Sequence, residues 1–354
     1  MNEKAAVRES LSRVKEYIPG KDIEYVKKRY GLDRVVKLAS NENLYGASPK
    51  AIDAFKDFKD LHLYPPPQPE ELIERISKYT GVEESKIVIG SGIDGILEGI
   101  FNIFLEKGDS VSISPPTFPY YITLATIHDA KIERLERDES FNIKVSNSPK
   151  SKITLICSPN NPTGNLERGE TVREIVEESQ GIIFIDEAYV EFSSSDLLEF
   201  TEYENVILAR TFSKAFGLAN LRIGYAIMPE WVKKEYLKVT TPFPVSTPAI
   251  KAACAALDDL EYMKSTVERI KRDRERVFKE LLNFGAEVYP SEANFLFMRV
   301  TPSFCDEMMK RGVIVRDCSS FVGCRKGDVR VSIGRTADNE YFLEKAKEIL
   351  GQDR

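Results

Sequence analysis

The chain has 354 residues, 42% apolar and 30% charged, enough to bury a large core in two domains or in one large domain with an appendage. Its net charge of −6 and pI of about 5.4 present no basic footprint for nucleic acid or an anionic membrane. Five cysteines without a C-x-x-C spacing and only two histidines, His62 and His128, argue against a disulfide frame, a zinc site and His-based triad chemistry, so no metal is expected.

The N-terminal "MNEKAAVRESLSRVKEY" is charged and lacks the apolar stretch of a secretion signal. No run approaches the ~18 apolar residues of a membrane span, so a cytoplasmic protein is expected. "LYPPPQP" (63–69) predicts a rigid, exposed connection with polyproline geometry. Strands are predicted at "KIVIG" (86–90), "SVSIS" (110–114), "KITLIC" (152–157), "GIIFID" (181–186), "NVILAR" (205–210) and "IGYAIM" (223–228). Helical patterns at 93–105 and 171–179 lie among them. Near-continuously apolar strands alternating with helices predict an α/β fold, with a mostly parallel sheet covered on both faces. Segment 248–284 predicts one long charged helical stretch. "NFLFMRV" and "DVRVSIG", with the helix-like "SFCDEMMKRG" between them, predict a smaller α+β unit, completed by residues before about 40.

Ligands of open parallel sheets sit beyond the carboxyl ends of the strands, so chemistry is sought there. After "KIVI" comes Gly90-Ser91-Gly92-Ile93-Asp94, either a tight turn or a nest of amides for a phosphate. It is no P-loop, because the G-K-[ST] ending is absent. Phe118 follows the next strand, on a proline-stiffened loop. Ser158–Gly164, "SPNNPTG", is either a turn or a rigid mount for the Asn160 and Asn161 amides. Asp186 ends a buried strand, where a carboxylate is costly unless paired. It is either a helix cap or a ligand, with Tyr189 three residues on. Finally "LARTFSKAFGLANLRIGYAI" (208–227) sets Ser213 and Lys214 among apolar residues, with Arg222 eight positions beyond the lysine.

Taken singly, each feature is ambiguous. Together they gather a lysine, an aspartate, a phenol, an amide, an anion nest and an arginine on one edge of one sheet. That set suits an aldehyde cofactor with a pyridine nitrogen, a phenolic oxygen and a phosphate, which is pyridoxal 5′-phosphate. Lys214 would form the Schiff base, its pKa lowered by apolar neighbours and Arg222. Asp186 would pair with the ring nitrogen, and Asn161 and Tyr189 with the ring oxygen. Ser213, Arg222 and the turn at Ser91, Gly92 and Ile93 would hold the phosphate, with Phe118 stacked on the ring.

"SPNNPTG", "DEAYVEF", "RTFSKAFGLANLRIGY" and "PFPVSTP", with "LASNENLYG" and "YIPGKDIEYV" upstream, resemble the fold-type I pyridoxal-phosphate aminotransferases, nearest the histidinol-phosphate aminotransferase subgroup. The likeness spans nearly the whole chain in order. It implies a large domain over 41–238 with a seven-stranded sheet, and a small domain from 1–40 and 239–354. It also implies a homodimer in which Tyr64 reaches the neighbouring active site. Arg330 matches the arginine for the substrate carboxylate, and Arg316 one for the substrate phosphate or the distal carboxylate of glutamate. Tyr17 matches a pocket tyrosine, and Asn294 lies near the carboxylate site. The reaction implied is transfer of the amino group of histidinol phosphate to 2-oxoglutarate. A threonine-phosphate decarboxylase-like lyase and an aromatic or aspartate aminotransferase are the alternatives on the same scaffold.

Three positions depart from the family pattern. Gly92-Ile93-Asp94-Gly95 replaces the usual Gly-Ala-Asp-Glu. Asn220 stands where glycine is usual, which predicts a left-handed backbone at Asn220 to aim Arg222 at the phosphate. Gly334-Arg335-Thr336 replaces Gly-Thr-Arg, so Arg335 is expected to compete for a substrate anion.

Overall fold

The computed structural model describes residues 7–14, 16, 21–145 and 150–351. Its N-terminal strand is β1 (Val36–Lys37). β2 (Ile87–Gly90), β3 (Ser110–Ile113), β4 (Lys131–Arg134), β5 (Ile153–Cys157), β6 (Ile182–Asp186), β7 (Val206–Thr211) and β8 (Gly224–Ile227) form one seven-stranded sheet in the order 2-8-7-6-5-3-4. β3, β4, β5, β6 and β7 pair in parallel, whereas β8 runs against both β7 and β2. The fold is α/β with a mostly parallel sheet, as the strand pattern predicts.

Period-two burial explains why the apolar strands read as unbroken runs. In β6, Ile183 and Ile185 enter one core cluster and Ile182 and Phe184 the other, because successive side chains of a strand point to opposite faces. Helix Gly92–Phe104 covers one face through Ile96, Leu97, Ile100 and Phe101. Helix Gly169–Glu178 covers the other through Val172, Ile175 and Val176. Phe184 is completely buried, so its truncation to Ala would cost about 3–5 kcal/mol.

The remaining strands are β9 (Glu287–Tyr289), β10 (Phe295–Arg299), β11 (Val313–Ile314), β12 (Arg316–Asp317) and β13 (Asp328–Ser332). They build an antiparallel sheet in the order 12-13-10-9 and a parallel pair of β1 with β11. Residues 36–37 thus pair with the C-terminal unit, whereas Ser10 and Arg13 bond Ile127 and Asp129 next to the large sheet.

Some elements depart from expectation. The segment 248–284 is two helices, Thr247–Leu257 and Leu260–Asn283, separated at Asp258–Asp259. Asp is a poor helix former, and here the amides of both residues fold back on Cys254 and Ala256 carbonyls to end the first helix. Strand β4 went unpredicted. Its "KIER" is mostly exposed at the sheet edge, so it lacks an apolar signal. In the 63–69 connection Leu63 and Tyr64 are exposed, but Gln68 is not a bystander. Its amide accepts from Ile89 N and donates to Ile89 O, pairing with the open edge of β2.

Candidate active site

Topology assembles the site. Asp186 is the last residue of β6, paired in register with Cys157 of β5 and Ala209 of β7. Lys214 follows the end of β7 by three residues, and Asn161 follows β5 by four. Because β8 is antiparallel to β7, its start lies at the same edge as the ends of the others, which brings Arg222 there too. The result is a cavity of about 230 Å³. Its floor holds Asp186, Tyr189 and Lys214, and one wall holds Phe118 and Asn161. Ile93, Ser213 and Arg222 close one end, while Arg316 and Arg330 enter from the C-terminal sheet.

Burial pushes the Asp186 carboxyl up to about 6. The phenol of Tyr121 donates to its Oδ2 at 2.5 Å and the Ala188 amide to its Oδ1 at 2.9 Å, both of which favour the charged form. It is therefore mostly ionised at neutral pH. The Lys214 ammonium is pulled down to about 8, first by burial and then by Arg330, while Asp94 and Glu42 oppose. Arg222 contributes least, so the expected role of Arg222 in lowering this pKa belongs chiefly to burial and Arg330. Lys214 Nζ donates to the Ser40 carbonyl at 3.4 Å and lies 5.6 Å from the Tyr189 ring centroid.

The two adjacent amides of "SPNNPTG" divide their work. Asn160 is wholly buried and spends its amide on Thr117, Thr163 and the Pro116 carbonyl. It holds the loop. Asn161 faces the cavity, and its Oδ1 accepts from Arg330 Nη1. Gly164, at φ 82°, closes the loop against the C-terminal unit: a Cβ there would stand 2.3 Å from Ser291 Oγ.

At the other end, Gly92 has φ 74°, and a Cβ on it would stand 3.2 Å from Arg222 Nη2. Arg222 meets Ser213 Oγ at 3.5 Å and pairs with Asp94 at 3.2 Å. Its own backbone is left-handed, φ 49° and ψ 53°. The left-handed angle expected at Asn220 is thus at Arg222 instead. Asn220 is an exposed residue of the 3₁₀ turn Ala219–Leu221 without positive φ. The reversal that aims the guanidinium inward is made by the arginine itself, so no glycine-like angle is required before it.

Other predicted residues stand apart from the cavity. The Ser91 hydroxyl donates to the Pro244 carbonyl at 2.6 Å. Asn294 is buried behind the wall, donating to Asn41 O at 3.0 Å with its Oδ1 unpartnered. Tyr64 is 82% exposed and stacks on Phe243 at 4.7 Å. Arg335 points its Nε at the Leu44 carbonyl, not at the cavity. Tyr17 lies outside the described residues.

Several pocket groups were missed. Asn41, Ser40 and Asp94 line the cavity, and Tyr121 donates to Asp186. The only signal for the first two was "LASNENLYG", which carries no strand-end or charge pattern of its own. Tyr121 was invisible because it lies within a helix, Tyr120–Ile127, and reaches Asp186 only through packing.

Comparisons with known proteins assign the family. Histidinol-phosphate aminotransferase 1 of Archaeoglobus fulgidus is 54% identical over 90% of this chain and all of its own length. The Methanosarcina barkeri histidinol-phosphate aminotransferase is 42% identical, covering 94% of both chains. The crystal structure of a histidinol-phosphate aminotransferase from Sinorhizobium meliloti superposes with a TM-score of 0.86 over 98% of both chains, at 23% identity. The family model for aminotransferase class I and II matches residues 33–345. The chain belongs to the class I and II aminotransferases.

Proposed function

We propose that this aminotransferase takes histidinol phosphate as amino donor and 2-oxoglutarate as acceptor. The cofactor is pyridoxal 5′-phosphate, which supplies an electron sink when bound. The residues present fit it. A lysine with a pKa near 8 offers free amine at neutral pH to attach to an aldehyde and to carry a proton at the substrate's reacting carbon. Asp186, mostly ionised, holds a proton on a pyridine nitrogen. With its Oδ1 taken by Arg330, Asn161 has its N–H groups left to donate to the ring oxygen beside Tyr189. Ser213, Arg222 and the amides at Gly92 and Ile93 form the phosphate corner, and Phe118 bounds the ring face.

The observation that carries the substrate reading is the pair Arg330 and Arg316. They are direct cross-strand neighbours on β13 and β12 and both line the cavity. Like charges directly opposite each other are unfavourable, and an anion between them reverses the sign. Arg330 is nine-tenths buried, and its Nε has no partner. A phosphate or a dicarboxylate needs such a second anion corner, distinct from that of Arg222. Asn294, matched by the resemblance to the carboxylate site, bonds the Asn41 carbonyl beside it.

The active unit is a homodimer in the cytoplasm, with 41–238 as the large domain and 1–40 plus 239–354 as the small one. Leu61, Leu63 and Tyr64 are 81%, 61% and 82% exposed on one stretch, an apolar strip that a partner subunit would cover while Tyr64 enters its phosphate corner. Among the described residues no helix is long and apolar enough to cross a membrane.

The test is spectroscopic. Histidinol phosphate added to the purified holoenzyme should bleach its visible band, and 2-oxoglutarate should restore it; Lys214→Ala should lack the band. Bleaching by aspartate or an aromatic amino acid but not by histidinol phosphate overturns the substrate. Carbon dioxide released from threonine phosphate overturns the reaction class.

A further inference from the structure

Residues 38 to 41 form a short strap between the C-terminal unit and the cavity. Leu38 is pinned at both backbone atoms, its amide donating to Ile314 O at 2.7 Å and its carbonyl accepting from Ser332 N at 2.9 Å. The Ala39 carbonyl then accepts from Arg330 Nη2 at 2.7 Å, and the Ser40 carbonyl from Lys214 Nζ at 3.4 Å. Asn41 donates from Nδ2 to Tyr189 Oη at 3.0 Å. Three consecutive residues thus each hold a different charged or phenolic group of the site.

Asn41 is the most constrained of them. It is 1% exposed and left-handed, at φ 54°. Its amide donates to Ser332 Oγ at 2.8 Å, that hydroxyl donates back to Asn41 Oδ1 at 3.0 Å, and its carbonyl accepts from Asn294 Nδ2. Ser332 Oγ accepts from the backbone and gives its own proton to Oδ1. With Oδ1 taken by the Ser332 hydroxyl, the side-chain N–H₂ faces Tyr189. A phenol that accepts here keeps its own proton for another direction. Burial holds that phenol protonated, and Tyr189 lines the cavity beside Lys214 and Asp186.

We propose that Asn41 is a positioning residue that directs the hydroxyl proton of Tyr189 into the cavity. The residue type follows from two demands at once. The backbone angle suits Gly, Asn or Asp, and of these only Asn can also donate to the phenol. The inference rests on the reading that Tyr189 faces the cofactor's phenolic oxygen.

The holoenzyme variants Asn41→Gly and Asn41→Asp test it, alone and combined with Tyr189→Phe. A proton donated to the phenolic oxygen stabilises its negative charge and lowers the pH at which the lysine-bound chromophore takes up a proton. Asn41→Gly should therefore move the absorbance titration up by about one pH unit in protein that circular dichroism shows to be folded. In a Tyr189→Phe background the same replacement should add nothing. An unchanged titration in folded Asn41→Gly overturns the proposal, and so does an equal shift when Tyr189 is already Phe. If the glycine variant does not fold, Asn41→Asp decides: its carboxylate accepts the phenol's hydrogen bond and turns it away from the cavity, so its titration must rise further when Tyr189 is present than when Tyr189 is Phe. A visible band that survives Lys214→Ala would instead overturn the cofactor assignment beneath the inference.

Discussion

Two arginines of similar burial illustrate opposite uses of a buried charge. Arg210 on β7 is 4% exposed and faces carboxylates: its Nε donates to Glu187 at 2.8 Å, and its Nη2 lies 2.7 Å from Glu187 and 3.3 Å from Asp196. Arg330 is 6% exposed but among the described residues it donates to neutral oxygens, those of Asn161 and Ala39, and its Nε has no partner there. Desolvating a guanidinium costs several kcal/mol. Around Arg210 that cost is offset within the fold. Around Arg330 it is left partly open, and in the proposed function a substrate anion would complete it. The difference separates a charge that holds structure from one that waits for a ligand.

That contrast can be broken by mutation. Glu187→Ala should destabilise the protein by about 3–5 kcal/mol, since it strands Arg210 in the core; chemical denaturation measures this, and a loss below about 1 kcal/mol would refute the structural role. Arg330→Ala should leave the melting midpoint of the cofactor-free protein nearly unchanged or raise it. Its kcat/KM should fall about 30- to 1,000-fold, equivalent to about 2–4 kcal/mol of lost anion binding. Equal damage to stability and to kcat/KM would erase the distinction between the two arginines.

Protonation sharpens the comparison further. Arg330 helps lower Lys214 to about 8, and only the free amine attacks an aldehyde. The rate of cofactor capture by cofactor-free protein should climb about tenfold per pH unit below 8 and level off above it. Stopped-flow absorbance would show this, and a pH-independent rate would contradict it. In the Arg210 cluster, burial raises Glu191 from 4.5 to about 7, with Arg210 opposing and Glu187 adding to the rise. Its folded-state pKa lies above the unfolded one, so its contribution is complete below about 4.5 and is lost as pH rises toward 7. The holoenzyme should lose up to about 1.4 kcal/mol of stability per pH unit across that window from this group. Glu191→Gln should flatten the slope, and an unchanged slope would assign it elsewhere. The smallest effect belongs to the residue with no strained angle: Asn220→Val should stay within about 0.5 kcal/mol of wild type by thermal melting, whereas a loss above 1 kcal/mol would show a hidden constraint there.

Much of the fold and of the pocket was legible in the linear chain. Six strands of the large sheet were visible because their apolar runs are uninterrupted, and β4 was not because an exposed edge strand carries no such run. Lys214, Asp186, Asn161 and Arg222 stood out as polar residues just beyond or before strand ends, where a parallel sheet presents its ligands. The break at Asp258–Asp259 was not read, because helical periodicity on both sides masked it. Asn220 misled for a local reason: replacing a glycine suggests an inherited angle, yet the neighbouring Arg222 absorbs it.

The sequence by itself determined which residue types could meet at the sheet edge, since strand periodicity and chain direction are local properties. Only the tertiary structure decided their partners. Asn161 receives Arg330 from 169 residues away, and Tyr189 receives Asn41 from 148 away. No local pattern encodes those pairs, because each depends on how the C-terminal sheet docks against the carboxyl edge of the large one, and docking is set by packing over the whole interface. The same packing half-buries Lys214 and sets Arg330 near it, and so pulls the lysine down to about 8.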